Sequence, residues 1–218
     1  ANALSNVSGT PYAVTASGAA SADYTITYVP GSLTITPAAL TLTAHPASKT
    51  YGQATPVLTG TLTGAVAADG LTAHYTTTAA QFSDPGIFAI VPTLLDPHHR
   101  LSNYSVTTTS STLTIDKATP TIVWKTPAAI NYGTALSATQ LNATVAGVKG
   151  GSAPSPLTYN PPAGTVLNVG NPLLTATSAA SADYNQVSKT VNLAVIIPDL
   201  TVTFGTPTPH YGTYVPGD

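Results

Sequence analysis

The sequence predicts an all-β protein, organised as a stiff linear array of tandem β-sandwich domains. Threonine supplies 39 of the 218 residues and glutamate is absent, so β-branched strand formers are abundant and good helix formers are scarce. Short alternating stretches are separated by turn residues at intervals of roughly 8–12 positions, as in sandwiches and barrels. Landmark residues also recur about every 80 positions, a spacing that suits a small domain.

Two tyrosine landmarks define this period. The first is a tyrosine that follows Asp or Asn, and 80 residues separate its successive occurrences, Tyr24, Tyr104 and Tyr184. The second is a Tyr-Gly pair, which occurs as Tyr51-Gly52, Tyr132-Gly133 and Tyr211-Gly212. The hexapeptide AASADY appears twice, at residues 19–24 and 179–184. A recurrence of this length indicates a tandem array of domains.

The period divides the chain into two complete domains and two part-domains. Residues 37–116 and 117–197 are the complete ones. Residues 1–36 look like the C-terminal part of a domain, and residues 198–218 like the N-terminal part of a further one. The joints contain almost no linker, and proline within them fixes φ and removes a hydrogen-bond donor. We therefore expect a rod and not a flexible string of domains.

Strands are predicted in each part from alternation between apolar residues and threonine, with Gly, Pro and Asp in the turns. In the first part they cover residues 11–17, 23–29 and 33–35, with a turn at 29–32. In the second they cover residues 40–44, 57–62, 71–78 and 87–95 and the positions around Val106 and Leu113. There, residues 45–52 are read as a connection. In the third they cover residues 122–124, 141–148, 156–159, 166–169 and 173–177.

Composition limits the partners. Charged residues are only 6% of the chain and the formal net charge is −2, without a basic patch, so a nucleic-acid partner is not expected. No apolar run approaches the roughly 20 residues of a membrane-spanning helix, so no membrane span is expected in this segment. Without cysteine, disulfides and thiol catalysis are excluded. The start, ANALSN, has no visible signal peptide, as expected of a mature end or an excised fragment.

With these residues in view, the chain resembles the bacterial immunoglobulin-like repeats of very large surface proteins, most closely the MBG type, also called the YGX type. The resemblance is carried by LTLTAHPASKTYGQATPVLTGTLTG (residues 40–64), DPHHRLSNYSV (96–106) and STLTIDKATP (111–120). TPAAINYGTALSATQLNATV (126–145) is similar to a sister repeat of the same proteins. The resemblance covers nearly the whole chain and is weakest at residues 153–160. It implies extracellular immunoglobulin-like spacers in adhesins and surface fibres, without known catalytic residues.

The recurring aromatic residues are interpreted as structural. The tyrosines at 24, 104 and 184 resemble a tyrosine corner, in which the hydroxyl bonds back to the main chain. In the Tyr-Gly pairs, glycine allows a positive φ or a close backbone approach, although a tyrosine there is also suited to stacking on a sugar. Trp124 and Phe204 each stand three residues before a proline, and we expect both in domain cores.

The sequence offers no constellation for catalysis, a metal or a cofactor. A G-x-S-x-G elbow, a phosphate-binding loop and a dinucleotide fingerprint are all missing, and paired glutamates cannot occur. The aspartates stand singly in turns, so no metal site is predicted, and calcium at a joint through Asp116 or Asp199 is left open. Lys49, Lys117 and Lys125 lie near strand starts, but no helper carboxylate for an isopeptide bond can be named.

The two part-domains predict a mode of assembly. An incomplete sandwich exposes strand edges and apolar faces, so the chain is either a window from a longer array or is completed by another copy. In the second case Leu200, Val202 and Phe204 of one copy would add to the sheet of the next. The receiving residues would be Tyr24, Ile26, Leu33 and Ile35. Head-to-tail strand addition of this kind produces an open fibre.

The sequence therefore predicts a non-enzymatic structural repeat, located extracellularly at the cell surface. Its role would be that of an adhesin stalk or spacer, or of a repeating fibre unit whose partners are other copies of the repeat. The open alternative is a module that binds host or environmental surface glycans. These would contact Tyr75, Tyr159 or the Tyr-Gly turns.

Overall fold

The computed structural model of the protein describes residues 1–2, 5–198 and 205. In this part of the chain helix is limited to three 3-10 turns of three residues each, Val7–Gly9, Ala67–Asp69 and Leu101–Asn103. All other regular structure is β. The all-β prediction is therefore confirmed, and the arrangement of sheets is consistent with a β-sandwich.

Sixteen strands follow one another along the described residues. The first nine are β1 (Tyr12–Val14), β2 (Gly31–Leu33), β3 (Ala38–Ala44), β4 (Ala47–Thr50), β5 (Gly60–Thr63), β6 (Thr72–Thr76), β7 (Gly86–Leu95), β8 (Tyr104–Thr109) and β9 (Ser111–Asp116). The others are β10 (Thr121–Val123), β11 (Ile130–Asn131), β12 (Thr144–Ala146), β13 (Leu157–Asn160), β14 (Leu173–Ser178), β15 (Val187–Asn192) and β16 (Val195–Ile196).

The chain forms two compact units whose limits differ from the sequence period. The first unit contains Ala1–Thr121, Ala146–Ser155 and Ala179–Val187. The second contains Ile122–Val145, Pro156–Ser178 and the stretch that starts at Ser188. Three segments of the 117–197 repeat thus lie in the first unit, namely residues 117–121, 146–155 and 179–187. The domain boundaries taken from the period, at residues 36, 116 and 197, stay a prediction.

The described residues of the first unit form three sheets. In one, β3 lies between β5, which is antiparallel to it, and β8, which is parallel to it. In another, the order is β4-β9-β7-β6, with β9 parallel to β4 and antiparallel to β7. The third is the antiparallel pair of β1 and β2. The parallel pairs join strands that are distant in sequence, so each holds the beginning and the end of a repeat together.

The core of the first unit follows from alternation. Along β3 the side chains of Leu40, Leu42 and Ala44 are buried while Thr41 is exposed, as the period of two in a strand requires. Ala44 packs in one cluster with Ile90 of β7 and with Leu113 and Ile115 of β9. Apolar residues from the three-stranded and four-stranded sheets therefore share one interior.

The second unit has its own core. Here β13, β14 and β15 form one sheet, and β11 pairs in parallel with β16. Trp124 lies in the core, as predicted, and its indole N–H donates to the carbonyl of Gln140 at 3.1 Å. The ring of Tyr159 meets the indole edge-on, with 5.5 Å between centroids.

Several strand predictions were wrong. Residues 23–29 form no strand, and residues 166–169 contain only an isolated bridge between Val166 and Ala135. The predicted turn at 29–32 overlaps β2, and the predicted strand at 141–148 shrinks to β12. Conversely, β4 occupies the stretch that was read as a connection. The reason is that a strand requires a partner, which alternation alone does not reveal.

Candidate functional site: tyrosine corners and Tyr-Gly turns

Two of the three predicted tyrosine corners are formed. The hydroxyl of Tyr104 accepts a hydrogen bond from the N–H of Val66 at 3.0 Å and donates one to Asp69 Oδ2 at 2.5 Å. The hydroxyl of Tyr184 accepts from the N–H of Val148 at 2.9 Å and donates to the carbonyl of Ser152 at 2.8 Å. Each corner therefore pins a loop that lies 38 or 36 residues earlier in the chain.

The two corners occupy equivalent positions. Tyr104 pairs in parallel with Ala38, and Tyr184 pairs in parallel with Ala118, each 80 residues further along. Both phenols are buried, and Tyr184 is completely inaccessible. Burial and the bond to Asp69 raise the pKa of Tyr104, so its hydroxyl stays neutral and able to donate. By contrast, Tyr24 is 79% exposed and forms no corner here.

The two described Tyr-Gly turns share one backbone geometry. The N–H of Tyr51 donates to the carbonyl of Asp116 at 2.9 Å, and the N–H of Tyr132 to the carbonyl of Ile196 at 2.8 Å. The glycines that follow have φ of +85° at Gly52 and +89° at Gly133. Glycine is required because other residues rarely adopt this left-handed conformation. A Tyr-Gly turn therefore closes each described repeat by attaching its first strands to its last.

Within the first unit, the first of these turns packs against the second corner. The ring of Tyr51 meets the ring of Tyr184 edge-on, with 5.7 Å between centroids. Its hydroxyl accepts a hydrogen bond from the N–H of Ser152 at 2.9 Å. A Cβ atom added at Gly52 would overlap the side chain of Val148. The Tyr-Gly turn of one sequence repeat is thus covered by a loop and a tyrosine from the next, and we call this arrangement the seated turn.

The seated turn is completed by polar side chains. Ser152 Oγ donates to Asp183 Oδ2 at 2.6 Å, while Asp183 Oδ1 is buried without a hydrogen-bond partner among the described groups. The ammonium group of Lys49 donates to the carbonyls of Gln53 at 3.1 Å and Gln81 at 3.2 Å, and also to that of Ala80. Burial lowers the pKa of Lys49.

Sequence reasoning missed this role of Lys49, which was considered only for an isopeptide bond. Its partners are main-chain carbonyls, and an isopeptide bond would need an asparagine side chain instead. The ammonium of Lys117 likewise donates to a main-chain carbonyl, that of Ser181. A lysine two residues before the Tyr-Gly pair was the available signal, but lysine is seldom buried, so the pattern did not indicate this role.

No described residue covers the second Tyr-Gly turn. Tyr132 is 55% exposed, whereas Tyr51 is 4% exposed. A Cβ atom added at Gly133 would meet no atom of the described residues within 4 Å. The two turns have the same backbone bonds, so the difference lies entirely in what packs on them.

The first corner also has a polar support. The carboxylate of Asp96 accepts hydrogen bonds from the N–H groups of Arg100 at 2.9 Å and Leu101 at 2.8 Å, and the bond from Arg100 is the main cause of its lowered pKa. The guanidinium of Arg100 in turn reaches Asn6 Oδ1 at 2.7 Å and lies 4.0 Å from Asp69. These contacts hold residues 96–101 in place and bring Arg100 close to Asp69, which accepts the hydrogen bond of the Tyr104 hydroxyl.

The residues predicted for the contact between copies, and those of the third Tyr-Gly pair, are either mainly exposed or outside the described part of the chain. Ile26 and Leu33 are exposed, and Ile35 is half-buried with its N–H bonded to Thr10 Oγ1 at 3.1 Å. The predicted residues that lie outside the described part of the chain are Leu200, Val202, Phe204, Tyr211 and Gly212. Asp199, considered for calcium, also lies outside it. Among the described residues, no group of three or more His, Asp or Glu side chains is arranged to hold a metal ion.

Comparison with known proteins identifies the segment that contains the first Tyr-Gly turn. Residues 40–114 match the MBG domain, YGX type. The match begins in β3 and ends in β9, so it includes the Tyr51-Gly52 turn and the Tyr104 corner of this MBG segment. No curated protein matches the chain. In the described residues, no helix has the length and apolar character needed to cross a membrane.

We expect Tyr184→Phe to destabilise the first unit by about 1–3 kcal/mol, because the N–H of Val148 would lose its partner in a buried setting. Tyr24→Phe is the matched control, since it removes a hydroxyl from an exposed ring. Urea unfolding followed by circular dichroism measures both. Equal midpoints for the two variants would refute the structural role of the Tyr184 hydroxyl.

We expect Gly52→Ala to cost more than Gly133→Ala. Both substitutions force alanine into a left-handed conformation, at about 1–2 kcal/mol. Only the first also pushes a methyl group into Val148, which adds about 1–3 kcal/mol of overpacking. The difference between their unfolding free energies isolates the contact, and a difference near zero would contradict the packing described for the seated turn.

Proposed function

We propose that this chain is a non-enzymatic structural segment of an extracellular, surface-associated protein, acting as a stalk or spacer or as a repeating unit of a fibre. The seated turn carries the proposal. It attaches the Tyr-Gly turn of one sequence repeat to the corner of the next inside a single compact unit. Such contacts support a tandem array of immunoglobulin-like domains that is stiff at its joints. The MBG match supports the assignment to surface-associated repeats.

The polar chemistry of the described residues supports a structural role. Asp69, Lys49 and Asp96 are each bonded to groups that hold a loop or a corner in place. Asp183 is bonded to the loop serine. Side chains used in this way stabilise the joint, and catalysis would instead require them to converge on a bound molecule.

The fibre form of the proposal has support from the first residues of the chain. Of the described strands, only β1 and β2 belong to the sheet there, and a two-stranded sheet is marginal by itself. Tyr24, Ile26 and Leu33 around it are exposed. In the fibre form, Leu200, Val202 and Phe204 of another copy add to this sheet. A chain that stays a monodisperse monomer at tens of micromolar would count against this form.

Small-angle X-ray scattering tests the stalk. A compact chain of 218 residues would have a radius of gyration of about 17 Å, and we expect a value well above this. Tyr51→Ala should broaden the distribution of dimensions, because it removes the ring that packs against Tyr184. Tyr132→Ala, at an exposed turn, should leave the distribution unchanged. A radius near that of a compact chain would refute the extended array.

The second candidate function, glycan binding, is favoured by one observation. Tyr132 presents a half-exposed ring at a turn, and an exposed aromatic ring can stack on a sugar. A glycan array read with the unaltered chain and with Tyr132→Ala tests it. Reproducible signals that vanish in the variant would favour binding, whereas signals that persist, or none at all, would leave the structural function as the better account.

A further inference from the structure

The three-stranded sheet of the first unit ends on one side at β8. The order β5-β3-β8 gives β8 one hydrogen-bonded neighbour among the described strands, β3. Apart from that pairing, the main chain of Ser105–Thr109 is hydrogen-bonded to no described residue. An edge strand presents a row of unpaired N–H and C=O groups along its outer side. The outer side of β8 therefore offers donors and acceptors to an added strand.

Among the described edge strands of the two larger sheets in this unit, β8 is the least protected. The other edges are β5 in its own sheet and β4 and β6 in the four-stranded one, and β5 and β6 contact each other. β4 has only four residues and carries Lys49. β8 has six residues without charge, proline or glycine, and Ser105–Thr109 are all exposed. Shortness, charge or proline normally protects an edge, so the β8 edge is open to pairing.

The next sequence repeat carries a charge where β8 has none. Lys189 stands 80 residues after Thr109 and lies exposed in β15. β15 is itself an edge strand, in the sheet β13-β14-β15. Lysine in an edge strand opposes pairing with another chain. The same position in the repeat is therefore protected in one case and unprotected in the other.

The side chains of β8 suit pairing with an identical strand. In an antiparallel pair centred on Thr107, Ser105 lies opposite Thr109 of the other copy, and Val106 lies opposite Thr108. A two-fold contact places each patch against itself, so any charge on β8 would meet its own kind, and β8 has none. Hydroxyl side chains on opposite strands can also bond to each other.

We propose that β8 pairs antiparallel with β8 of a second copy of this chain, centred on Thr107. The second copy brings the same unprotected edge, so one contact satisfies the main-chain groups of both. Two sheets of three strands become one sheet of six. Centring on Thr107 brings the whole exposed stretch, Ser105–Thr109, into the pairing.

The pairing also covers apolar surface. Val106 is in register with Leu40, which lies in the core, so its side chain is on the core face of the sheet. It is nevertheless 38% exposed, because none of the described strands lies on its outer side. A second β8 places a threonine beside it. One strand from each copy makes a small interface, so the association is weak and depends on concentration.

This contact differs from the head-to-tail contact of the fibre form and does not depend on it. A two-fold contact is used up once two copies have joined, whereas a head-to-tail contact continues. The β8 pairing therefore links chains side by side and stops at the dimer. In a surface-associated array it would join neighbouring copies laterally.

Sedimentation velocity at concentrations up to about 1 mM tests the contact. We expect a monomer–dimer equilibrium that Thr107→Lys and Thr107→Glu each weaken about fivefold or more, because like charges then lie directly opposite. An equimolar mixture of the two variants should associate again, since opposite charges meet. Thr72→Lys, at an exposed position in edge strand β6, should leave the dimer unchanged. Circular dichroism checks that all variants fold.

Single cysteines test the register in a chain that has none of its own. Thr107→Cys places the two thiols on directly opposite residues, whose Cα separation a disulfide can span, so mild oxidation should produce a linked dimer. Ser105→Cys is the matched control on the same face of β8. Its two copies would be about 14 Å apart, too far for a disulfide. Equal cross-linking of the two variants would overturn the proposed pairing.

The outcomes separate this contact from the proposed function. A chain that stays monomeric at about 1 mM, or a dimer that the Thr107 substitutions do not change, would overturn the β8 pairing and leave the stalk standing. A mixture of Thr107→Lys and Thr107→Glu that associates no better than either variant alone would also overturn it. A compact scattering profile together with a dimer that responds to these substitutions would refute the stalk alone.

Discussion

A buried phenol hydroxyl must be hydrogen-bonded, and this requirement governs the first unit. The hydroxyl of Tyr184 is satisfied by the main chain at Val148 and Ser152. Once the loop between them is fixed, its surface is shaped to receive an aromatic ring and a residue without a side chain. Tyr51 and Gly52 meet both conditions. The corner and the turn therefore constrain each other, although they belong to different sequence repeats.

Burial at a Tyr-Gly turn is decided by its neighbours and not by its local sequence. The turns at Tyr51 and Tyr132 have the same main-chain bond and nearly the same glycine torsion. One ring is nonetheless enclosed and the other half-exposed. The backbone of such a turn is therefore the same in both places, while the groups that pack on it differ. That property suits a connector, because the same element can close one repeat and accept the next.

The parts of the fold that sequence could predict are those with a local signal. Alternation of leucine and threonine identified β3, and the 80-residue recurrence indicated that Tyr104 and Tyr184 have the same role. β4 was missed because Ala47-Ser48-Lys49-Thr50 has a loop-like composition and is held by a parallel partner far along the chain. Residues 23–29 alternate well yet form no strand, and none of the described strands pairs with them.

The contact between Tyr51 and Tyr184 could not be predicted from the sequence. Each tyrosine is already explained by its own motif, a Tyr-Gly turn for Tyr51 and a tyrosine corner for Tyr184. The buried Lys49 is similar: only the main-chain carbonyls around it account for its position. A contact between two motifs that are distant in sequence, such as this turn and this corner, produces no periodic pattern by which it could be recognised. Sequence reasoning therefore identified the components of the candidate site but not how they fit together.

The first unit includes residues 146–155 and 179–187. The boundaries of the sequence repeat and those of the compact unit therefore do not coincide. Duplication or shuffling that cuts at the recurring boundaries would separate a turn from the loop that covers it. An inserted repeat could then be accommodated only if it brought a matching loop and corner of its own.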